Sequence, residues 1–168
     1  ARHAQKRIQL DSITDSQRVK PGVYFGLSEG DETTHFVVVD SAGNMVSNTY
    51  TLNFSYGTKI MVPGTGILLN NQMDDFSAKP GVPNAYGLLG SDRNAIGPEK
   101  RMLSSMTPTF LFYEGRPLLA TGSPGGSRII TTVLQVLLNV MEYDMNIAEA
   151  THAVRIHHQW QPDSLSVE

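Results

Sequence analysis

Apolar and polar positions along this chain change rhythm several times, and each rhythm implies a different element. From Thr34, the run THFVVVD, an Ala42-Gly43-Asn44 turn and the alternating MVSNTYTLN predict an antiparallel hairpin. The pattern returns in TPTFLFYEGRPLLATGS, with Glu114-Gly115 at the turn, so a second hairpin is expected. Past GSPGGS the spacing becomes helical. Ile129, Ile130, Val133, Val136, Leu137 and Val140 share one face of RIITTVLQVLLNVMEY, which predicts a buried amphipathic helix. Asn146 with Glu149 three positions on has the spacing of a capping box and opens a further helix through IAEATHAV. Between Tyr56 and Arg101, glycine or proline recurs every few residues, so loops with short regular pieces are expected there. Residues 1–32 are polar and, apart from a short helical possibility at the start, read as a tail before a folded region at 33–168.

Composition narrows the function classes. With 168 residues, 40% of them hydrophobic and 17% charged, the chain is long enough for one globular domain with a core. Thirteen basic residues against 16 acidic ones give a net charge of -3, and no basic cluster exceeds a pair, which argues against nucleic acid as a partner. The longest apolar runs are far short of the roughly 20 residues that cross a bilayer. The absence of cysteine removes disulfides, thiolate zinc sites and thiol nucleophiles together. The chain opens on Ala1 and the polar ARHAQKRIQL, which has no apolar core of a signal peptide, and is expected to be a piece of a longer polypeptide.

Several clusters could carry chemistry. A threonine hydroxyl becomes a useful nucleophile when a base takes its proton, and a chain-terminal threonine carries such a base in its own α-amine, which titrates near 7.7 to 8.0. Cleavage of the Glu32-Thr33 bond would make Thr33 that residue; on their own, Thr33 and Thr34 read more simply as the opening of a strand. Gly125 and Gly126 lie before a predicted helix, where free backbone N–H groups can meet an oxyanion, or they form a plain turn with Ser123 or Ser127 as the helix cap. Asn70, Asn71, Gln72, Asp74 and Asp75 gather acceptors suited to an ammonium group, or an Asx-rich loop. Ser104 and Ser105 could meet a carboxylate or sit in a partly buried turn. His152, His157 and His158 lack the spacing of metal ligands, and no metal is expected.

Taken together, TTH, TYTLN, GILLNNQMDDFSAKPGVPNAYGL, RMLSSMTPT and TGSPGGSRIITTVLQV resemble, in order, the small subunit of bacterial γ-glutamyltranspeptidase. Residues 1–32 resemble the end of that family's large subunit, which precedes the small one in an autocatalytically cleaved zymogen. The resemblance implies an α+β fold, the four-layer αββα sandwich of the N-terminal nucleophile hydrolases, completed here by a large subunit. It makes Glu32-Thr33 the self-processing bond and Thr33 the nucleophile. Thr33 would attack the γ-carbonyl of glutathione or another γ-glutamyl compound, and the acyl group would pass to water or to an acceptor amino acid or peptide. Thr51 then matches the threonine that hydrogen-bonds the nucleophile. Asn53, Gln72 and Asp75 match the holders of the substrate's α-amino group, Ser104 and Ser105 those of its α-carboxylate, and Gly125 with Gly126 the oxyanion hole. The segment from Ala78 to Arg101 resembles an active-site lid, with Tyr86 placed to bond Asn53. The family implies a heterodimer, no cofactor, and a periplasmic or secreted location.

Two departures bear on this reading: the family's large subunit supplies a carboxylate-binding arginine absent from this chain, and its small subunit continues past Glu168. The 168 residues alone are therefore expected to be a partial domain without turnover of its own. Alternatives are a related acylase that removes glutaryl side chains, disfavoured by Gln72 and Asp75 because a glutaryl group lacks the α-ammonium, and an unprocessed, non-catalytic amino-acid-binding module.

Overall fold

The computed structural model describes residues 33–159 and 165–168; the tail expected at 1–32, Glu32 included, lies outside them. Strand β1, Thr33–Val39, pairs antiparallel with β2, Met45–Thr51, in a register that sets Thr33 opposite Thr51 and His35 opposite Thr49. The strand thus begins at Thr33, one residue before the apolar pattern. Its turn is held by the Asp40 carboxylate, which accepts the N–H groups of Ala42 at 2.9 Å and Asn44 at 2.8 Å. The second hairpin joins β3, Thr109–Tyr113, to β4, Arg116–Thr121. Glu114 (φ 49°) and Gly115 (φ 76°) are both left-handed, the requirement of a tight turn that matches strand twist.

Helix α1, Ile129–Met141, buries Ile129, Val133 and Val136, an i, i+4, i+7 stripe. The expected face is wider than the buried one: Ile130 stands 49% exposed, because it lies about 100° around the helix from Ile129 and borders a cavity. Helix α2, Ile147–His152, opens on both halves of the capping box, Glu149 N–H to Asn146 Oδ1 and Asn146 N–H to Glu149 Oε2, each 3.0 Å. It stops short of Val154 because the backbone is already extended at Ala153. A two-residue pair, β5 (Ile156–His157) with β6 (Ser166–Val167), was not foreseen. Loops dominate 56–101 as expected, broken by 3-10 turns at Gln72–Asp75 and Asp92–Asn94.

The class is α+β. Direct cross-strand partners share a face, so Thr33, His35, Ser47, Thr49 and Thr51 all project from one side of the first hairpin. That side meets the end of β4: the Ser47 hydroxyl donates to the Thr121 carbonyl at 3.2 Å, and the His35 ring lies against Gly122. The opposite side, with Phe36, Val38, Val46 and Tyr50, is exposed. Among the described residues the buried apolar core is small, consisting of Phe76, Ile129, Val133, Val136 and Ala150. No described helix is long and apolar enough to cross a membrane.

Candidate active site

The register of the first hairpin brings two hydroxyls together. Thr33 Oγ1 donates to Thr51 Oγ1 at 3.2 Å, and the latter also accepts the N–H of Asn53 at 2.9 Å. A threonine at the head of one strand is thereby fixed by a threonine at the end of its partner. Both face a cavity of about 320 Å³, whose walls include Asn53, Gln72, Asp75, Tyr86, Ser104, Ser105 and Gly126. Segments separated by up to 126 positions in the chain, from Thr33 to Gln159, thus contribute to one concave site.

Just past β2 the chain turns through Asn53, which is 5% exposed and has a φ of 78°. Left-handed backbone is tolerated better by asparagine than by most residues, and such conformations persist where surroundings over-determine them. Here the Asn53 amide donates to the Asn71 carbonyl at 3.3 Å, while the Tyr86 hydroxyl lies 3.2 Å from Asn53 Oδ1 and 3.2 Å from its carbonyl. Asn71 and Asn70 serve the backbone, accepting the N–H groups of Phe54 at 3.0 Å and Gln72 at 3.1 Å, so only Gln72 and Asp75 of the polar cluster reach the cavity wall. Asp74 turns away, with Oδ2 buried and without a hydrogen-bond partner. Burial first, and then the neighbouring Asp74 charge, hold the Asp75 carboxyl above the usual carboxylate range. A cation would relieve both effects at once.

At the other end, Ser105 donates to the Gly126 carbonyl at 3.0 Å, and Ser104 Oγ accepts the N–H of Met106 at 3.2 Å. Gly125 (φ 130°) and Gly126 (φ 57°) lead into a 3-10 turn, Gly126–Arg128, that continues as α1. Neither serine caps this helix: Ser123 bonds the Pro124 carbonyl and Ser127 the side chain of Gln159. Glycine is needed at 126 because a Cβ there would lie 2.9 Å from the Tyr86 ring. Gly126 lines the cavity and Gly125 stands one residue behind it.

Sequence reasoning missed the wall formed by Ser127, Thr131, His157, His158 and Gln159. His157 joins a hydrogen-bonded chain along this wall: its Nδ1 lies 2.8 Å from the Thr131 hydroxyl and its Nε2 lies 3.0 Å from Gln159 Oε1. Among the described residues no three His, Cys, Asp or Glu side chains gather as a metal site.

The family model described as Gamma-glutamyltranspeptidase matches residues 1–168. The glutathione hydrolase proenzyme of Escherichia coli is 56% identical over 168 residues, covering 100% of this chain and 29% of that protein. The proenzyme of Pseudomonas aeruginosa is 51% identical over 151 residues, 90% of this chain and 26% of the relative. The chain therefore spans under a third of the length of these curated relatives. Among solved structures, a mutant of Helicobacter pylori γ-glutamyltranspeptidase superposes with a TM-score of 0.77 at 59% identity, over 80% of this chain and 72% of that one. The transpeptidase CapD of Bacillus anthracis gives a TM-score of 0.55 at 28% identity, over 76% of this chain and 62% of its own. With the motifs, the site walls and a match from the first residue to the last in agreement, the chain belongs to the γ-glutamyltranspeptidase family.

Proposed function

We propose that this chain is the carboxyl-terminal end of a large subunit joined to most of a small subunit, and that the processed heterodimer transfers γ-glutamyl groups from glutathione and similar donors to water or to amino acids and peptides. The carrying observation is the Thr33–Thr51 hydroxyl pair at 3.2 Å, facing the cavity that Asp75, Ser104, Ser105 and Gly126 also line. The relatives' names, glutathione hydrolase proenzyme, support both the donor and the precursor.

Processing is the first reaction. Thr33 Oγ attacks the Glu32 carbonyl carbon, the peptide C–N bond breaks as an ester forms, and the proton goes to the freed Thr33 amine; water then opens the ester. In turnover that amine takes the hydroxyl proton as Oγ attacks the γ-carbonyl, then returns it to the departing amine of the donor. Water or an acceptor amine releases the acyl group. Thr51 orients the nucleophile, Asp75 with Gln72 and Asn53 receives the α-ammonium, Ser104 and Ser105 receive the α-carboxylate, and Gly125 with Gly126 supplies N–H groups to the oxyanion. Asp75 favours this reading over a glutaryl acylase, since a glutaryl donor offers no cation to a carboxylate held above its ordinary range. A periplasmic or secreted enzyme follows from the family resemblance.

The test is mass spectrometry of the full-length protein and of its Thr33→Ala variant. The parent should appear as two subunits divided before Thr33, and the variant as one uncut chain without transferase activity. Two subunits in Thr33→Ala would remove the nucleophile from Thr33, and an uncut parent would leave the unprocessed binding module as the better reading.

A further inference from the structure

We propose that Gln159 is a positioning residue that latches the lid to the oxyanion loop, so that closure over the site and bracing of Gly126 occur together. The inference rests on the reading above, in which an acyl-enzyme forms on Thr33, and takes the segment 78–101 with Tyr86 as the lid that the family resemblance implies. Gln159 lies just beyond β5, far along the chain from both elements it joins. Its Nε2 donates to the Tyr86 carbonyl at 3.3 Å, and its Oε1 accepts the Ser127 hydroxyl at 2.9 Å and lies 3.0 Å from His157 Nε2. The amide can take only this orientation, since the reverse would set two acceptor oxygens against each other at Tyr86. With Oε1 as acceptor, His157 Nε2 must carry a proton and donate, and its Nδ1 meets the Thr131 hydroxyl of α1 at 2.8 Å. The joint is therefore anchored to the helix on one side and free to hold the lid on the other.

The lid tyrosine is consequently gripped at every polar point. Its N–H donates to Asn84 Oδ1 at 3.0 Å, its hydroxyl reaches Asn53, its ring packs 5.4 Å from that of Phe54, and its carbonyl meets Gln159. That same ring touches Gly126, whose neighbour Ser127 is held by the same Gln159 oxygen. Opening the lid would break the Gln159 to Tyr86 bond and withdraw the ring from Gly126 in one movement. An oxyanion hole works by being preorganised, so a hole braced by the closed lid favours reaction while bulk water is excluded.

The experiment uses the processed, full-length enzyme. In Gln159→Glu both carboxylate oxygens still accept from Ser127 and His157, but the donor to Tyr86 is lost. Amides at 81–91 should then exchange hydrogen about five-fold faster, the factor of one neutral hydrogen bond, with α1 unchanged. The ratio of transfer to hydrolysis should move in the direction given by Tyr86→Phe, and the double variant should be no worse than the more affected single one. Gln159→Leu, which releases Ser127 as well, should also lower kcat. Unchanged exchange at 81–91 in Gln159→Glu, faster exchange throughout α1, or losses that multiply in the double variant would each overturn the latch. A parent enzyme without γ-glutamyl transfer would instead defeat the functional reading, and the exchange measurement would still decide the latch.

Discussion

At the scale of a residue, Asp75 shows how environment sets chemistry. Burial and the charge of Asp74 both raise its pKa, so Asp75 holds its proton to higher pH than an ordinary aspartate does. Capture of an ammonium needs the carboxylate. As pH falls, kcat/KM for an α-amino donor should therefore begin to drop above the ordinary carboxylate range, and Asp74→Asn should move that fall to lower pH. The check is a pH profile of both enzymes. Stability carries the reverse sense: the folded chain keeps a proton that the unfolded chain has released, so this group's contribution declines as pH rises from the ordinary value through the raised one. Asp75→Asn should cost an α-amino donor about 30-fold in kcat/KM, the low end for a charge left without its partner. A donor lacking the α-amino group should lose little, and equal losses for the two donors would count against the assignment.

At the scale of elements, the approach of β4 to the first hairpin decides where the Gly125-Gly126 turn lies. A Cβ on Gly122 would run into the His35 ring, so a side chain there would have to displace either the ring or the strand. Gly122→Ala should separate the two strands, lower stability by about 1–3 kcal/mol as overpacking does, and reduce kcat by moving the turn away from Thr33. Thermal unfolding and steady-state kinetics would measure the two effects. His35 is fixed by a 2.7 Å contact between Nδ1 and Thr49 Oγ1, and burial lowers its pKa. Below about 6.5, the usual value for the free side chain, the unfolded chain binds a proton that the folded chain resists. Stability should then fall as pH drops from about 6.5 to the lowered pKa, and His35→Asn should flatten that part of the curve. If 78–101 serves as the lid that the family resemblance implies, Tyr86→Phe, which removes the hydroxyl that reaches Asn53 at 3.2 Å, should change the transfer-to-hydrolysis ratio without affecting self-cleavage. Product analysis with one γ-glutamyl donor checks the ratio, and a denaturing gel checks the cleavage.

At the scale of the whole molecule, much apolar surface is left uncovered by the described residues. Phe36, Val38, Val46 and Tyr50 line the outer side of the first hairpin, and Leu134 and Leu138 the outer side of α1. Patches of this kind mark interfaces more often than free surface, and a helix apolar all round is one meant to be buried. Under the proposed heterodimer, the 168 residues expressed alone should bind a hydrophobic dye and self-associate. Production from the full precursor should abolish both, as followed by dye fluorescence and sedimentation. A monomeric, dye-silent fragment would argue that these faces need no further subunit.

The local features of this protein were determined by sequence because neighbouring residues determine them physically. The two hairpins followed from alternation and turn chemistry, and the capping box at Asn146 and Glu149 from a three-residue spacing. The motifs were also specific enough to name the family before any geometry was known. Other features depended on partners distant in the chain. The exposure of Ile130, the diversion of Ser127 from helix cap to Gln159, and the turning away of Asp74 while Asp75 faces the cavity each depend on which remote group lies alongside. Nothing within HHQW signals that Gln159 meets Tyr86, because a hydrogen bond across 73 positions leaves no local pattern. Sequence alone thus determined which side chains the chain possesses and the elements that carry them. The tertiary structure decided which of them share a cavity, because burial, pKa and hydrogen-bond supply are properties of the packed surroundings rather than of a segment.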